Sequence, residues 1–349
     1  MASSATPSRP VFAFAVGITC TNAKGAAIDC YFPAPIKEPE PALAKVIDAH
    51  FKTGRSPATP DALQRFVRDL AQAADNGTAW GERHRPLLEC DRPLTAVRLD
   101  ADAPIADTET AYLKLHLLSH RLALPNTLNL DNLFVHLPTV AWTSRGAIDP
   151  AELEPALVRA RLAGENLEVF SVDKFPKMTN YVVPPGVRIA DASRIRLGAY
   201  LGDGTTVMHE GFINFNAGAL GPNMVEGRIS QGVVVGAHSD LGGGSSTQGT
   251  LSGGGNIRVS IGNHCLIGAN GGTGISLGDR CTIEAGLYVT AGTVVTLVDE
   301  HGEDVRTVKA REISGGSDML FIRNSRSGRI ECRTNRKAIE LNEALHAHN

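Results

Sequence analysis

The sequence predicts a mainly β protein, in which a parallel β-solenoid is preceded by an α+β module and followed by a small β/α extension. Three observations carry that expectation. Aliphatic residues recur at every sixth position through Ile189, Ile195, Leu201, Val207, Ile213 and Ala219, resume at Ile229, Val235 and Leu241, and return at Ile261, Ile267, Leu277, Ile283, Val289 and Val295. Small residues stand four places after the aliphatic, as at Ala199, Thr205, Gly211, Ala217, Cys265, Gly271, Cys281 and Thr293, with Leu287 the exception. Aromatics make up only 5% of the 349 residues while glycines number 36, a composition that suits narrow regular coils better than a broad aromatic core.

A period of six matches neither the repeat of a helix nor that of a strand. It fits short flat strands meeting at three corners per coil, with the aliphatic pointing inward and the small residue filling the tight corner. Cys265 and Cys281 occupy small-residue slots and read as core filler. The ten-residue step from Ala219 to Ile229 reads as a place where the chain leaves the prism wall.

Before the repeat, residues 1–180 read as an α+β domain without a catalytic motif. "VFAFAVGITC" and "AAIDCYFP" pair as strands around "TNAKG". "PDALQRFVRDLAQAAD" places Leu63, Phe66, Val67, Leu70 and Ala71 on one helical face, and "DTETAYLKLHLLSHRLAL" and "DPAELEPALVRARLAG" follow the same pattern. The coils occupy 181–298. Residues 299–349 read as a hairpin, further strand material in "FIRNSRSGRIECR" and a closing helix in "NRKAIELNEALHAHN", made basic by Arg323, Arg326, Arg329, Arg333, Arg336 and Lys337.

Several classes are excluded or disfavoured. A net charge of −3 offers no bulk attraction to nucleic acid or to an anionic membrane. No apolar run is long enough to span a bilayer, and the opening segment reads as a buried strand rather than a signal peptide. The six cysteines form no CxxC pair and no zinc spacing, which fits reduced thiols in a cytoplasmic protein.

With the coils placed, "DKFPKMTNYVVPPGVRIADA", "VMHEGFINFNAG", "MVEGRIS", "LSGGGN" and "SLGDRCTIEAGLYVTAGT" resemble the longer bacterial form of tetrahydrodipicolinate N-succinyltransferase, from about Asp173 to Ser325. The resemblance implies a left-handed parallel β-helix of hexapeptide repeats, a homotrimer with sites between subunits, and transfer of succinyl from succinyl-CoA to tetrahydrodipicolinate. Acyl transfer to nitrogen needs a free lone pair on the amine and stabilisation of the tetrahedral oxygen. Glu226, the glutamate of "MVEGR", is the residue the family assigns to catalysis as an acyl-anhydride nucleophile. A general base is the other reading of that carboxylate, and a solvated loop residue paired with Arg228 a third.

By the same resemblance, succinyl-CoA is bound by Arg228, Gly243, Ser246, Ala269, Glu284, Ala285, Gly292, Lys309, Ile322, Arg323, Asn324 and Ser325. Glu210, at an outward corner, is implied as a ligand to magnesium shared by three chains on the trimer axis. The family's second ligand is an aspartate where this chain has Ser193, which brings no negative charge. The rival readings are another acyltransferase of this type acting on a sugar or serine, a γ-type zinc carbonic anhydrase using His209, His238 and His264, and a non-catalytic trimeric scaffold.

Overall fold

Each inward aliphatic of the repeat finds its partner one coil away. Val207 pairs in parallel with Ile189, Val225 with Val207, Leu241 with Val225, Ile267 with Leu241 and Ile283 with Ile267. The computed structural model describes residues 10–73, 77–251, 256–299 and 301–334. These form two compact units. One comprises the described residues up to Ala123, Thr127–Pro176 and Asn180–Val182; the other comprises Leu124–Asn126, Lys177–Thr179 and the chain from Val183 onward.

In the second unit, short parallel strands stack into three walls, and the chain visits them in fixed rotation. The first wall holds Arg188–Ile189, Thr205–Val207, Asn223–Val225, Asp240–Leu241, Leu266–Ile267 and Thr282–Ile283. The second holds Phe212–Ile213, Arg228–Ile229, Ser246–Thr247, Gly272–Thr273 and Tyr288–Val289. The third holds Tyr200–Leu201, Gly218–Ala219, Val234–Val235 and Ser260–Ile261. Stacking the same inward position from coil to coil buries Ile195, Leu201, Ile213, Ala219, Val225, Ile229, Val235, Ile267, Ile283, Val289 and Val295 completely. Burying a side chain of this size contributes roughly 1.5–3 kcal/mol. Cys265 and Cys281 are buried in the same interior, as their slots require.

The wall does not open at the step from Ala219 to Ile229. Six residues after Ala219 lies Val225, inward and fully buried in the first wall, and the next inward residue, Ile229, follows four later. The coil is therefore shortened at one corner, which Glu226 and Gly227 alone turn. Gly227 is needed there: a Cβ would lie 2.1 Å from Ser245 Oγ and 2.7 Å from the Ser245 carbonyl oxygen. The step from Ile267 to Leu277 is the same device one corner further on, passing through inward Thr273, whose hydroxyl donates to the Ile275 carbonyl at 2.7 Å. The chain does leave the prism after Thr247, where Thr250 and Arg258 pair antiparallel on either side of residues outside the described set.

Beyond the coils, Val294–Val298 pairs antiparallel with Asp304–Lys309, and Met319–Arg323 with Ile330–Thr334; all four strands extend the first wall. The expected closing helix, with Arg336 and Lys337, lies outside the described residues. Much of the expected basic surface here is internally paired. Arg329 bonds both oxygens of Asp304 and, with Arg333, holds the buried Glu331. Burial alone would raise the Glu331 pKa, but hydrogen bonds from Arg329, Arg333 and Asn324 prevail and hold it at about 2.

In the first unit, Ala13–Thr21 pairs with Ala27–Tyr31 as the sequence suggests, and also with Leu94–Leu99. The helix Pro60–Ala73 buries Leu63, Phe66, Val67 and Leu70 against Phe14 and Trp80, and Ala71 is exposed. The helix Thr108–Ser119 starts where Asp107 accepts from the Thr110 N–H at 2.7 Å, and from Glu109 on every residue is buried. Its Lys114, wholly buried, donates to Asp102 and to the Ala103 and Asn129 carbonyls, each at 2.6 Å. The helix Pro150–Leu162, capped by Asp149, buries only Ala160.

Candidate active site

The corner between the first and second walls recurs in every coil, and the expected site residues gather there. Glu210 turns it in one coil, Glu226 in the next, then Gly243, then Ala269 and Asn270, then Glu284 and Ala285. Backbone bonds hold the column in step: the Asn270 N–H donates to the Gly243 carbonyl and the Gly286 N–H to the Ala269 carbonyl, each at 2.8 Å. The carboxylates of Glu210 and Glu226 converge. A Cβ on Gly243 would sit 3.5 Å from Glu226 Oε2 and 3.6 Å from Glu210 Oε2. Glu226 is half-buried and Glu210 exposed.

Beside this edge, on the outer face of the second wall, Arg228 Nε donates to Ser246 Oγ at 3.3 Å, one coil along. Only Gly227 separates Glu226 from Arg228, so the carboxylate stands at the corner and the guanidinium on the adjoining face. Further along the edge, Glu284 Oε2 accepts from the Arg323 N–H at 2.7 Å, which ties Ile322–Ser325 to the same column. Asn324 serves the turn itself: its side-chain oxygen accepts from the Arg326 and Ser327 N–H groups, and its amide donates to Glu331. Gly292 and Lys309 do not join the column. Gly292 lies in the turn after the last second-wall strand, with open space around it, and Lys309 pairs with Val294 just beyond.

The implied metal pair is not assembled by one chain. The Ser193 hydroxyl donates to Asp191 Oδ1 at 2.6 Å, so the short side chain props a neighbouring carboxylate rather than supplying one. Bonds from the Ser193 hydroxyl and N–H hold the Asp191 carboxyl below the usual carboxylate range. Among the described residues no three His, Cys, Asp or Glu side chains group to hold a metal ion.

The histidines of the carbonic anhydrase reading separate as well. His209 belongs to the Glu210 corner, while His238 and His264 lie at the corner between the third and first walls. Their rings stack at 4.9 Å and 11°, away from His209. A groove of about 390 Å³ lined by Gln64, Val67, Arg68, Glu82 and Arg85 belongs to the first unit and includes none of the expected residues.

Three inward positions escaped the sequence pattern: Val225, Thr247 and Thr273. Strict counting by six from Ala219, Leu241 and Ile267 reaches all three; two are threonines, which a search for aliphatics passes over. Thr247 Oγ1 donates to the Arg228 carbonyl at 3.0 Å, so an inward threonine helps fix the strand that presents Arg228.

Across almost its whole length the chain is similar to curated 2,3,4,5-tetrahydropyridine-2,6-dicarboxylate N-succinyltransferases. The Pseudomonas putida protein is 54% identical, covering 98% of this chain and 100% of that one, and the Vibrio cholerae protein is 50% identical, covering 97% and 99%. The chain belongs to this family. Residues 137–177 match the family model described as tetrahydrodipicolinate N-succinyltransferase middle, and 258–291 that of the hexapeptide repeat of succinyl-transferase. A crystal structure from Campylobacter jejuni assigned to 2,3,4,5-tetrahydropyridine-2-carboxylate N-succinyltransferase is 28% identical, with a TM-score of 0.85, covering 96% of this chain and 95% of that one. The kinship therefore reaches well before Asp173, into a half of the sequence that carries no legible motif.

Proposed function

We propose that the chain transfers succinyl from succinyl-CoA to the nitrogen of tetrahydrodipicolinate, with one water consumed in opening the ring, giving N-succinyl-2-amino-6-oxopimelate and CoA in lysine and diaminopimelate biosynthesis. The observation that carries this reading is the edge column: a half-buried Glu226 beside an exposed guanidinium, continued by glycine and alanine corners that leave room for an extended thioester. Tetrahydrodipicolinate is a cyclic imine, so one water first adds across its C=N bond, giving an amine that carries an N–H and, on ring opening, the 6-oxo group. In the base route that nitrogen attacks the thioester carbonyl and Glu226 takes its proton. The C–N bond forms, the C–S bond breaks, and CoA leaves as the thiolate. In the anhydride route, Glu226 attacks first, CoA leaves, and the amine then takes succinyl from the carboxylate.

Arg228 suits the succinyl carboxylate in either route, since a guanidinium binds a carboxylate in a fork. Gly243, Ser246, Ala269, Glu284, Ala285 and Ile322–Ser325 line the donor's path, with Gly292 and Lys309 at its far end. The same reading carries a left-handed coil, a cytoplasmic homotrimer with sites between subunits, and magnesium between three copies of Glu210. Three carboxylates on an axis invite a cation; Ser193 supplies no second charge, so metal content is best measured directly on the purified protein.

Thiol release from succinyl-CoA tests the function. Wild type is expected to release CoA steadily only with tetrahydrodipicolinate present, and Glu226→Gln to lose that turnover. A single-turnover burst of CoA without acceptor, together with a succinyl adduct on Glu226 by mass spectrometry, marks the anhydride route; neither appears in the base route. Unchanged turnover in Glu226→Gln removes this carboxylate from the mechanism.

A further inference from the structure

One outward column of the second wall runs in strict register: Phe212 beside Arg228, Arg228 beside Ser246, Ser246 beside Gly272 and Gly272 beside Tyr288. At its end the Tyr288 ring folds back over the glycine. A Cβ on Gly272 would lie 2.3 Å from Tyr288 Cε2 and 2.6 Å from the Ser246 carbonyl oxygen, so only glycine lets the ring lie there. The side chain nonetheless stays 38% exposed, while Val289 beside it is fully buried. An exposed aromatic laid flat on a backbone floor offers an apolar face to something outside the wall.

The lane has a direction and a length. It begins at Arg228, next to the corner of Glu226, and reaches Tyr288 three coils later, beside the corner of Glu284 and Ala285. Three strand spacings make about 14 Å. That is the scale of an extended chain of methylenes and amides rather than of a compact acceptor. Along it stand a cation at the head, a hydroxyl next, and an aromatic surface at the foot.

We propose that Tyr288, seated on Gly272, is a positioning residue for the acyl donor, packing against the methylene–amide arm that carries the thioester. The proposal rests on the succinyl-CoA reading above. Its ligand chemistry is an acyl thioester on a pantetheine-type arm, and its contact is the ring face, not the hydroxyl.

The test compares two donors in the full-length protein: succinyl-CoA and the short thioester succinyl-N-acetylcysteamine, which lacks most of the arm. Tyr288→Ala is expected to raise KM for succinyl-CoA about tenfold with kcat within twofold, and to leave KM for the short donor unchanged. Tyr288→Phe is expected to behave as wild type with both. Gly272→Ala should reproduce the donor-selective loss if it folds, as judged by circular dichroism. A KM for succinyl-CoA unmoved in Tyr288→Ala, or an equal rise for both donors, overturns the proposal while leaving the function intact. A wild type that transfers succinyl from neither donor overturns the function itself.

Discussion

Two edges of the same prism, built by the same repeat, have opposite characters. Where the first wall turns into the second, the corners carry Glu210, Glu226, Gly243, Ala269 and Glu284; the Glu210 and Glu226 carboxylates face one glycine, and Glu284 accepts from the Arg323 N–H. Where the third wall turns into the first, they carry His238, His264, Arg280 and Asp318, all left-handed, with φ of 57°, 56°, 57° and 58°. There the residues close in pairs: the rings of His238 and His264 stack, and Arg280 clasps Asp318 through two bonds of 2.6 and 2.8 Å. A regular backbone thus makes repeated edges, and side-chain choice decides which is closed by pairs of its own residues.

The sharpest way to break the contrast is to remove charge from each edge. Glu226→Gln is expected to cut kcat by roughly 10²–10⁴-fold, the usual scale for losing a positioned proton acceptor, with the thermal midpoint nearly unchanged. Arg280→Ala on the other edge should leave kcat within twofold, and steady-state kinetics on the two variants checks both.

A smaller effect is structural. Gly227→Ala forces a Cβ to within 2.1 Å of Ser245 Oγ at the shortened corner. It should destabilise the protein by roughly 1–3 kcal/mol, seen as a lower midpoint in thermal melts. The matching change at Gly243, where a Cβ meets the two carboxylates only at 3.5 and 3.6 Å, should fold normally.

The hairpin reached by the first edge through Glu284 sets a pH limit. Because the Glu331 pKa is depressed in the folded state to about 2, its contribution is fully present above the ordinary carboxylate range and is lost as pH falls toward 2. Melting midpoints should drop over that window in wild type and less steeply in Arg333→Ala, which starts lower. The mildest expectation concerns the closed edge: His264→Asn keeps a residue tolerant of the left-handed turn but loses the ring stack. It should cost about 0.5–1.5 kcal/mol with no kinetic effect.

Much of this was legible before any coordinates. The period of six located the coils because an inward position must be apolar or small wherever the chain turns at fixed intervals, and that demand leaves a mark in every repeat. Helices 60–73 and 108–119 were legible for related reasons, though the second proved buried all round rather than on one face. The N-terminal kinship was not legible, because a packed α+β module keeps its core through many interchangeable apolar choices and leaves no spaced signature. The shortened corner at Glu226 is not legible either: by spacing alone the break reads as an opening, whereas Val225 keeps the coil closed.

The sequence by itself determined the repeat, the inward face and the identity of the residues at each corner, since these follow from local spacing and side-chain size. Only the tertiary structure decided which corners stack upon which. Glu210 and Glu226 lie sixteen residues apart in the chain and yet bring their carboxylates to one glycine, because parallel coils align equivalent corners along a single edge. The same stacking laid a tyrosine ring upon a glycine one coil away. Neither meeting is written in the spacing of its own segment; both depend on how many residues each intervening corner omits.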